Sequence, residues 1–329
     1  MDTSLLLSLL EPEAKNIDMV MHDDMQTLED GLLSDVLRHS LFNGGKRIRP
    51  LLCVFAARLC GCNVEEVYRL AIAFEYLHVA TLLHDDVIDH GNTRRGKQTV
   101  NALWGNTPAI LAGDYLHARS MFLIGKLGGE KCLEIICQAT NAMVAGEFLQ
   151  LRNAGDLSTS EKDYFEIIEK KTAVLIAAVC EIGSVYAGAD AKQQEALRMY
   201  GNALGKAFQV VDDLLDYLGD SSQTGKVVGN DFVEGKMTLP LIHTLKNAKG
   251  QDRDFIQSLL DDSGHVRQQH VTAVRQLIER YNGFGYAKEK AKRLIDIGLD
   301  QLKLFDKASS TETFSILTGL ANYVLTREK

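Results

Sequence analysis

The sequence is poor in proline. It has four in 329 residues, at positions 12, 50, 108 and 240, so long stretches carry no obligatory helix breaker. It lacks any convincing run of alternating apolar and polar residues, which argues against half-buried strands. It also lacks a positive excess. The net charge of −8 excludes a general nucleic-acid binder with a basic stripe, so an anionic substrate has to be held by local Lys and Arg clusters or through metal ions. The six cysteines, 53, 60, 62, 132, 137 and 180, fit no four-ligand zinc spacing, and Cys60-Gly61-Cys62 reads as reduced thiols. Residues 1–10 carry acidic Asp2 and no basic stretch, unlike a secretory signal. The apolar run 173–180 is too short to span a bilayer. These absences predict a cytoplasmic protein, with contact at a membrane surface left open.

What is present reads as helix. Ala, Leu, Glu, Lys and Gln dominate segments 67–83, 161–185, 195–218 and 275–304. Breaks fall at Asn43-Gly44-Gly45, His90-Gly91-Asn92, Gly128-Gly129, 153–160, 219–235 and Lys249-Gly250, and Ser158-Thr159-Ser160 offers an N-cap before Glu161. None of these breaks is a long low-complexity linker. The reading is all-α and a single domain over 1–329, and at 46% hydrophobic residues the chain can bury a sizeable core.

Two strings then stand out. Asp85-Asp86-Val87-Ile88-Asp89 and Asp212-Asp213-Leu214-Leu215-Asp216 each set three carboxylates in an apolar helical stretch. In a helix the first and last aspartates of each share a face, where like charges repel. Apolar neighbours raise that cost, and bound cations are the simplest offset. Oxygen-only ligands point to Mg²⁺ or Mn²⁺, and Mg²⁺ characteristically binds one or two carboxylates plus substrate phosphates. With 25 aspartates in the chain, one such pattern arises by chance roughly once in seven sequences and two roughly once in a hundred.

Basic clusters accompany them. Gly44-Gly45-Lys46-Arg47-Ile48-Arg49-Pro50 sets three cations behind two glycines, where backbone and cations suit a phosphate. Thr93-Arg94-Arg95-Gly96-Lys97 begins four residues after Asp89, and Lys170-Lys171-Thr172, Lys226 and Lys236 follow. The glycines and lysines after the second acidic helix suggest a loop that closes over phosphates.

With these motifs in hand, the sequence resembles the trans-isoprenyl diphosphate synthases. The resemblance rests on GGKRIRP, LLHDDVIDHGNTRRG, GEFLQL (146–151), KKTA (170–173), GKAFQVVDDLLDY (205–217) and GK…DFVEGKMTLP (225–240), and covers about 44 to 240. Within that family it looks most like the long-chain polyprenyl synthases that make quinone side chains. The resemblance implies a bundle of roughly ten or more helices around a central cavity, the isoprenoid synthase fold. It implies that Asp85, Asp86, Asp89, Asp212, Asp213 and Asp216 hold Mg²⁺, about three ions with the allylic diphosphate, with Mn²⁺ as a substitute. Lys46, Arg49, His78 and Arg95 match the isopentenyl diphosphate site. Arg94, Lys171, Lys226 and Lys236 match groups that bind the allylic diphosphate, and Thr172 and Gln209 match residues whose oxygens face the developing allylic cation. Gln150 matches a neighbour of the active centre. The implied partners are the two diphosphates and a second copy of the chain; the lipid product admits peripheral membrane contact.

The implied reaction ionises an allylic diphosphate, farnesyl or geranylgeranyl, and joins the cation to isopentenyl diphosphate with loss of a proton. Asp85, Asp86, Asp89, Lys171, Thr172, Gln209 and Asp212 are the expected catalytic set. In short-chain members an aromatic four or five residues before the first cluster blocks the product tunnel. Here those positions are Thr81 and Ala80, with Leu77 one turn deeper, so a product longer than about four or five isoprene units is expected. Tyr76 and Met121-Phe122-Leu123 are candidate floors. The alternatives are a shorter-chain synthase, a class I terpene cyclase, a regulatory subunit of a two-component synthase and a simple acidic metal binder. The second aspartate cluster and GGKRIRP speak against the last three.

Overall fold

Good helix formers and few prolines leave helix as the favoured local structure. In the computed structural model the described residues, 2–26, 28–94, 96–219, 229–305 and 311–327, are mostly helical. Among them the only strands are a two-residue pair, Thr93–Arg94 (β1) and Lys97–Gln98 (β2), antiparallel with Thr93 opposite Gln98 and Arg94 opposite Lys97. The chain groups into two compact units. One comprises Met1–Cys137, Ala178–Arg198 and Leu304–Gly319; the other comprises Gln138–Ala177, Met199–Lys303 and Leu320–Lys329.

The first unit is built on α1 (Thr3–Met25), α2 (Gly31–Leu41), α3 (Ile48–Leu59), α4 (Val67–Ile88) and α5 (Val100–Trp104). Helix α1 buries Leu6, Leu10, Ile17, Met21 and Met25, one stripe at helical spacing. Helix α4 is apolar nearly all round, and buries most residues from Val67 to Leu83. A helix of that kind belongs at a core, and α1, α2, α3 and α5 all pack on it.

Helix α6 (Asn106–Asn153) is interrupted at Gly129, whose φ of 75° breaks the helical path at the predicted Gly128-Gly129 break. The predicted 161–185 helix is resolved into α7 (Glu161–Ile168), a π-helical turn (Glu169–Ala173) and α8 (Val174–Tyr186). Ser160 caps α7: its hydroxyl accepts from the Asp163 amide, and Asp163 accepts from the Ser160 amide in return. Helix α9 (Ala191–Leu218) carries the second acidic cluster.

The remaining helices are α10 (Asn230–Val233), α11 (Leu239–Asn247), α12 (Gln251–Leu260), α13 (Gly264–Arg280), α14 (Gly283–Leu302) and α15 (Thr311–Thr326). Helices α11 and α13 pack on α14, and α10 and α12 pack on α13. The periodic stretch 275–304 is two helices and not one, because Asn282 takes a left-handed φ of 57° between α13 and α14. No helix among the described residues is long and apolar enough to cross a membrane.

Candidate active site

In the first unit the acidic cluster sits at the C-terminal end of α4. Asp85 and Asp86 lie in its last turn. Asp89 is the C-cap, its amide donating to the Asp85 carbonyl at 2.8 Å, so the helical spacing of the pair holds. Asp86 is buried, Asp85 half-buried and Asp89 exposed. The chain then turns back through His90, at φ 53°, into the β1–β2 hairpin. The turn is fastened from α5 and its approach. Thr99 donates its hydroxyl to the Gly91 carbonyl at 2.7 Å, and the Asn101 amide donates to the carbonyls of Gly91 and Asp86 at 3.0 and 3.2 Å. This return brings Arg94 onto Asp86 in a forked contact, Nη2 and Nε each donating to Oδ1 at 2.8 and 2.9 Å. The two residues assigned to metal and allylic diphosphate thus neutralise each other. Arg95 lies outside the described residues.

The GGKRIRP turn does not present all three cations as expected. Arg47 adopts a left-handed φ of 51° and points inward, 4% exposed. Its Nε and Nη1 donate to Asp18 and Glu75, each at 2.8 Å, and Nη2 donates to the Leu41 carbonyl at 2.7 Å. A fork with five donors suits such a junction better than a lysine would. Arg47 is therefore a tie between α1, α2 and α4, while Lys46 is exposed and Arg49 half-buried, which leaves these two as the candidate phosphate ligands of this turn.

An open cleft lies in the same unit, lined by Gly44, His78, Asp86, Arg94 and Lys97 among others. Of the residues assigned to chain length, Leu77 and Ala80 are buried and Thr81 is half-buried, its hydroxyl turned back to the His78 carbonyl at 2.8 Å. Tyr76 is fully buried with its hydroxyl donating to Asp24 at 3.1 Å; Arg119 binds the same carboxylate. Leu123 is buried, but Phe122 is on the outside beneath Arg119, which removes it as a tunnel floor.

In the second unit the π-helical turn 169–173 carries Lys171 and Thr172. Two glycines make room for it. A Cβ on Gly146 would lie 2.8 Å from the Lys171 nitrogen, and one on Gly205 would lie 2.6 Å from the Ala173 Cα. These are the glycines of GEFLQL and GKAFQ, so the motifs supply close approach as well as functional side chains. Lys171 donates to Glu147 at 3.0 Å and Gln150 at 3.3 Å. Thr172 donates to Gln209 Oε1 at 3.0 Å, Gln209 donates to Asp213 Oδ1 at 2.9 Å, and Tyr164 donates to Asp213 Oδ2 at 2.7 Å. The two residues expected to face a cation are thus wired directly to the second acidic cluster.

That cluster is electrostatically strained. Burial, with Asp231 adding repulsion, pushes the Asp213 carboxyl up to about 8. The same two causes push Asp216 up to about 7, although it accepts from the Asp231 amide at 3.1 Å. Asp212 is more open, and Arg327 donates to it at 3.2 Å while stacking 3.8 Å over the Phe208 ring. Acids held above their ordinary range by burial and by one another fit a divalent cation, which would take the place of their protons. Among the described residues no three Asp, Glu, His or Cys side chains enclose an ion by themselves.

Lys236 pairs with Asp231 and Glu234, at 2.9 and 2.8 Å. Lys226 lies outside the described residues. Sequence reasoning missed Tyr164, Asp231, Glu147 and Arg327. Asp231 stands inside the DFVEGK string and was within reach. Tyr164 and Arg327 carry no local signal, because their partners are 49 and 115 residues away. Cys60 and Cys62 are both half-buried and unpaired, and burial pushes the Cys60 thiol up to about 12, away from a reactive thiolate.

A family model described as polyprenyl synthetase matches residues 30–279. The octaprenyl diphosphate synthase of Escherichia coli (strain K12) is 36% identical over 301 residues, 91% of each chain. A decaprenyl diphosphate synthase from Rhodobacter capsulatus superposes with a TM-score of 0.88 at 35% identity, over 99% of both chains. A polyprenyl synthase from Caulobacter crescentus CB15, complexed with calcium and isoprenyl diphosphate, superposes with a TM-score of 0.89 at 35% identity, over 100% of this chain and 98% of that one.

Proposed function

The chain belongs to the polyprenyl synthetase family and has its all-α isoprenoid synthase fold, and from that premise we propose that it condenses isopentenyl diphosphate onto farnesyl or geranylgeranyl diphosphate to build a long all-trans polyprenyl diphosphate. The observation that carries this is the chain of contacts Thr172–Gln209–Asp213, which ties cation-facing oxygens to a carboxylate cluster that favours a divalent ion.

Mg²⁺ suits each acidic cluster: Asp85, Asp86 and Asp89 would hold it in one unit, and Asp212, Asp213 and Asp216 in the other. When bound, the metal supplies Lewis-acid stabilisation of the leaving diphosphate. The protein's own groups do the rest. Arg94, Lys171 and Lys236 exchange their carboxylate partners for the diphosphate oxygens and so stabilise charge as the allylic C–O bond ionises. Thr172 Oγ1 and Gln209 Oε1 offer oxygen dipoles to the allylic cation. Lys46, Arg49 and His78 hold isopentenyl diphosphate so that its double bond attacks. The proton lost afterwards goes to the released pyrophosphate, and no covalent enzyme intermediate forms. Apolar walls such as Leu77 and Ala80 keep water from the cation.

Chelation checks the metal requirement. Incorporation of labelled isopentenyl diphosphate is expected to vanish in excess EDTA and return on adding Mg²⁺; undiminished incorporation in EDTA contradicts it. We also propose a homodimer. Helix α6 leaves Ile110, Leu111 and Phe122 exposed in the first unit and Val144, Phe148 and Leu151, at helical spacing, in the second. Light scattering is expected to give about twice the chain mass of 36.4 kDa, and a value near one chain mass rules this out.

A further inference from the structure

The cleft of the first unit has a charge balance that points to one more residue. Arg47, on its wall, is neutralised by Glu75 and Asp18, and Arg94 by Asp86. Lys97 also lines the cleft, yet its ammonium donates at 2.8 Å to the neutral side-chain oxygen of Asn43, and among the described residues no carboxylate forms an ion pair with it. Lys97 is exposed, so its charge is neither buried nor cancelled.

Its position is fixed by the backbone. Lys97 lies on β2 opposite Arg94 on β1, one residue beyond the tight turn at Gly96, where φ is 75°. The next residue, Gln98, accepts at its carbonyl from His39 Nε2 at 2.9 Å, so that ring nitrogen carries the proton. Trp104 meets the His39 ring edge-on at 5.3 Å and holds it in place. Asn43 immediately precedes Gly44 and Gly45 of the GGKRIRP turn, so the Lys97–Asn43 contact places the ammonium at that turn, in the cleft that His78 also lines.

We propose that Lys97 is a further binding residue for isopentenyl diphosphate, leaving the neutral Asn43 oxygen for a diphosphate oxygen when the substrate enters the cleft. The proposal rests on the function proposed above. A weak neutral partner makes the exchange cheap, whereas Arg94 has to give up a carboxylate.

Calorimetric titration tests this with three ligands: isopentenyl diphosphate, the non-ionising allylic analogue farnesyl thiodiphosphate with Mg²⁺, and inorganic pyrophosphate. Lys97→Met is expected to weaken isopentenyl diphosphate binding by about tenfold to a hundredfold, the loss of one charge-assisted hydrogen bond. Lys97→Arg is expected to retain most of the affinity. The allylic analogue should bind all three proteins alike, and pyrophosphate should follow isopentenyl diphosphate only in part. Because Lys97 is exposed, the variants should melt with the parent. An unchanged isopentenyl diphosphate affinity in Lys97→Met, or an equal loss for the allylic analogue, overturns the proposal alone. A parent protein that neither binds nor incorporates isopentenyl diphosphate overturns the proposed function and this proposal with it.

Discussion

Asp85→Ala and Asp212→Ala are each expected to lower kcat by about a thousandfold or more, with little change in thermal stability. Removing a metal-holding carboxylate forfeits several kcal/mol of transition-state stabilisation, and each 1.4 kcal/mol is a factor of ten. These two positions are chosen because they separate chemistry from folding. Asp85 is half-buried, and the Asp212 side chain is 58% exposed. Losing Asp212 leaves Arg327 its stacking on Phe208 and its bond to the Phe208 carbonyl at 3.0 Å. Asp213 would be a poor choice, because Tyr164 and Gln209 both depend on it. Steady-state kinetics with a melting curve decide the matter. Near-normal kcat in either variant defeats the metal assignment, and a collapsed melting temperature would mean that the carboxylate serves folding.

Ala80→Phe is the second large effect, this time on what is made. Ala80 lies five residues before Asp85, so a growing chain leaving the first cluster passes it after about 7.5 Å of helix rise. Its side chain is a single methyl, 2% exposed, on a helix most of whose residues are buried. A phenyl ring there should stop elongation early and shift the product to about four or five isoprene units, while the first condensation proceeds. Overpacking a core position costs about 1–3 kcal/mol, so Thr81→Phe, at the half-buried neighbouring position, provides a second variant. Chromatography of the dephosphorylated products reads the outcome. Product length unchanged in both variants would rule out the tunnel along this face of α4.

The parts legible in the sequence were those with local causes. Helical content follows from composition. The aspartates at 85–89 and 212–216 announce themselves by spacing, and the break at Gly129 follows from glycine chemistry. The hairpin at 93–98 left no alternating signal because each strand is only two residues long. The inward turn of Arg47 is not legible in the sequence, because three cations in one turn look alike. Which of them turns inward depends on Glu75, in another helix, and on a left-handed backbone at a residue other than glycine. The π-helical turn at 169–173 was read as plain helix, since its cause is the tight approach of Gly146 and Gly205 from elsewhere in the chain. Tyr164 and Arg327 were illegible for the same reason: their function is a contact, and nothing local marks it.

The central claim is that this chain elongates an allylic diphosphate past short-chain lengths. The direct measurement incubates purified protein with Mg²⁺, farnesyl diphosphate and labelled isopentenyl diphosphate, then resolves the products by chain length. A labelled all-trans polyprenyl diphosphate longer than about five isoprene units is expected, with smaller intermediates scarce. Termination at about four units would contradict the long-chain claim, and a cyclised hydrocarbon with no label incorporated would contradict the reaction itself.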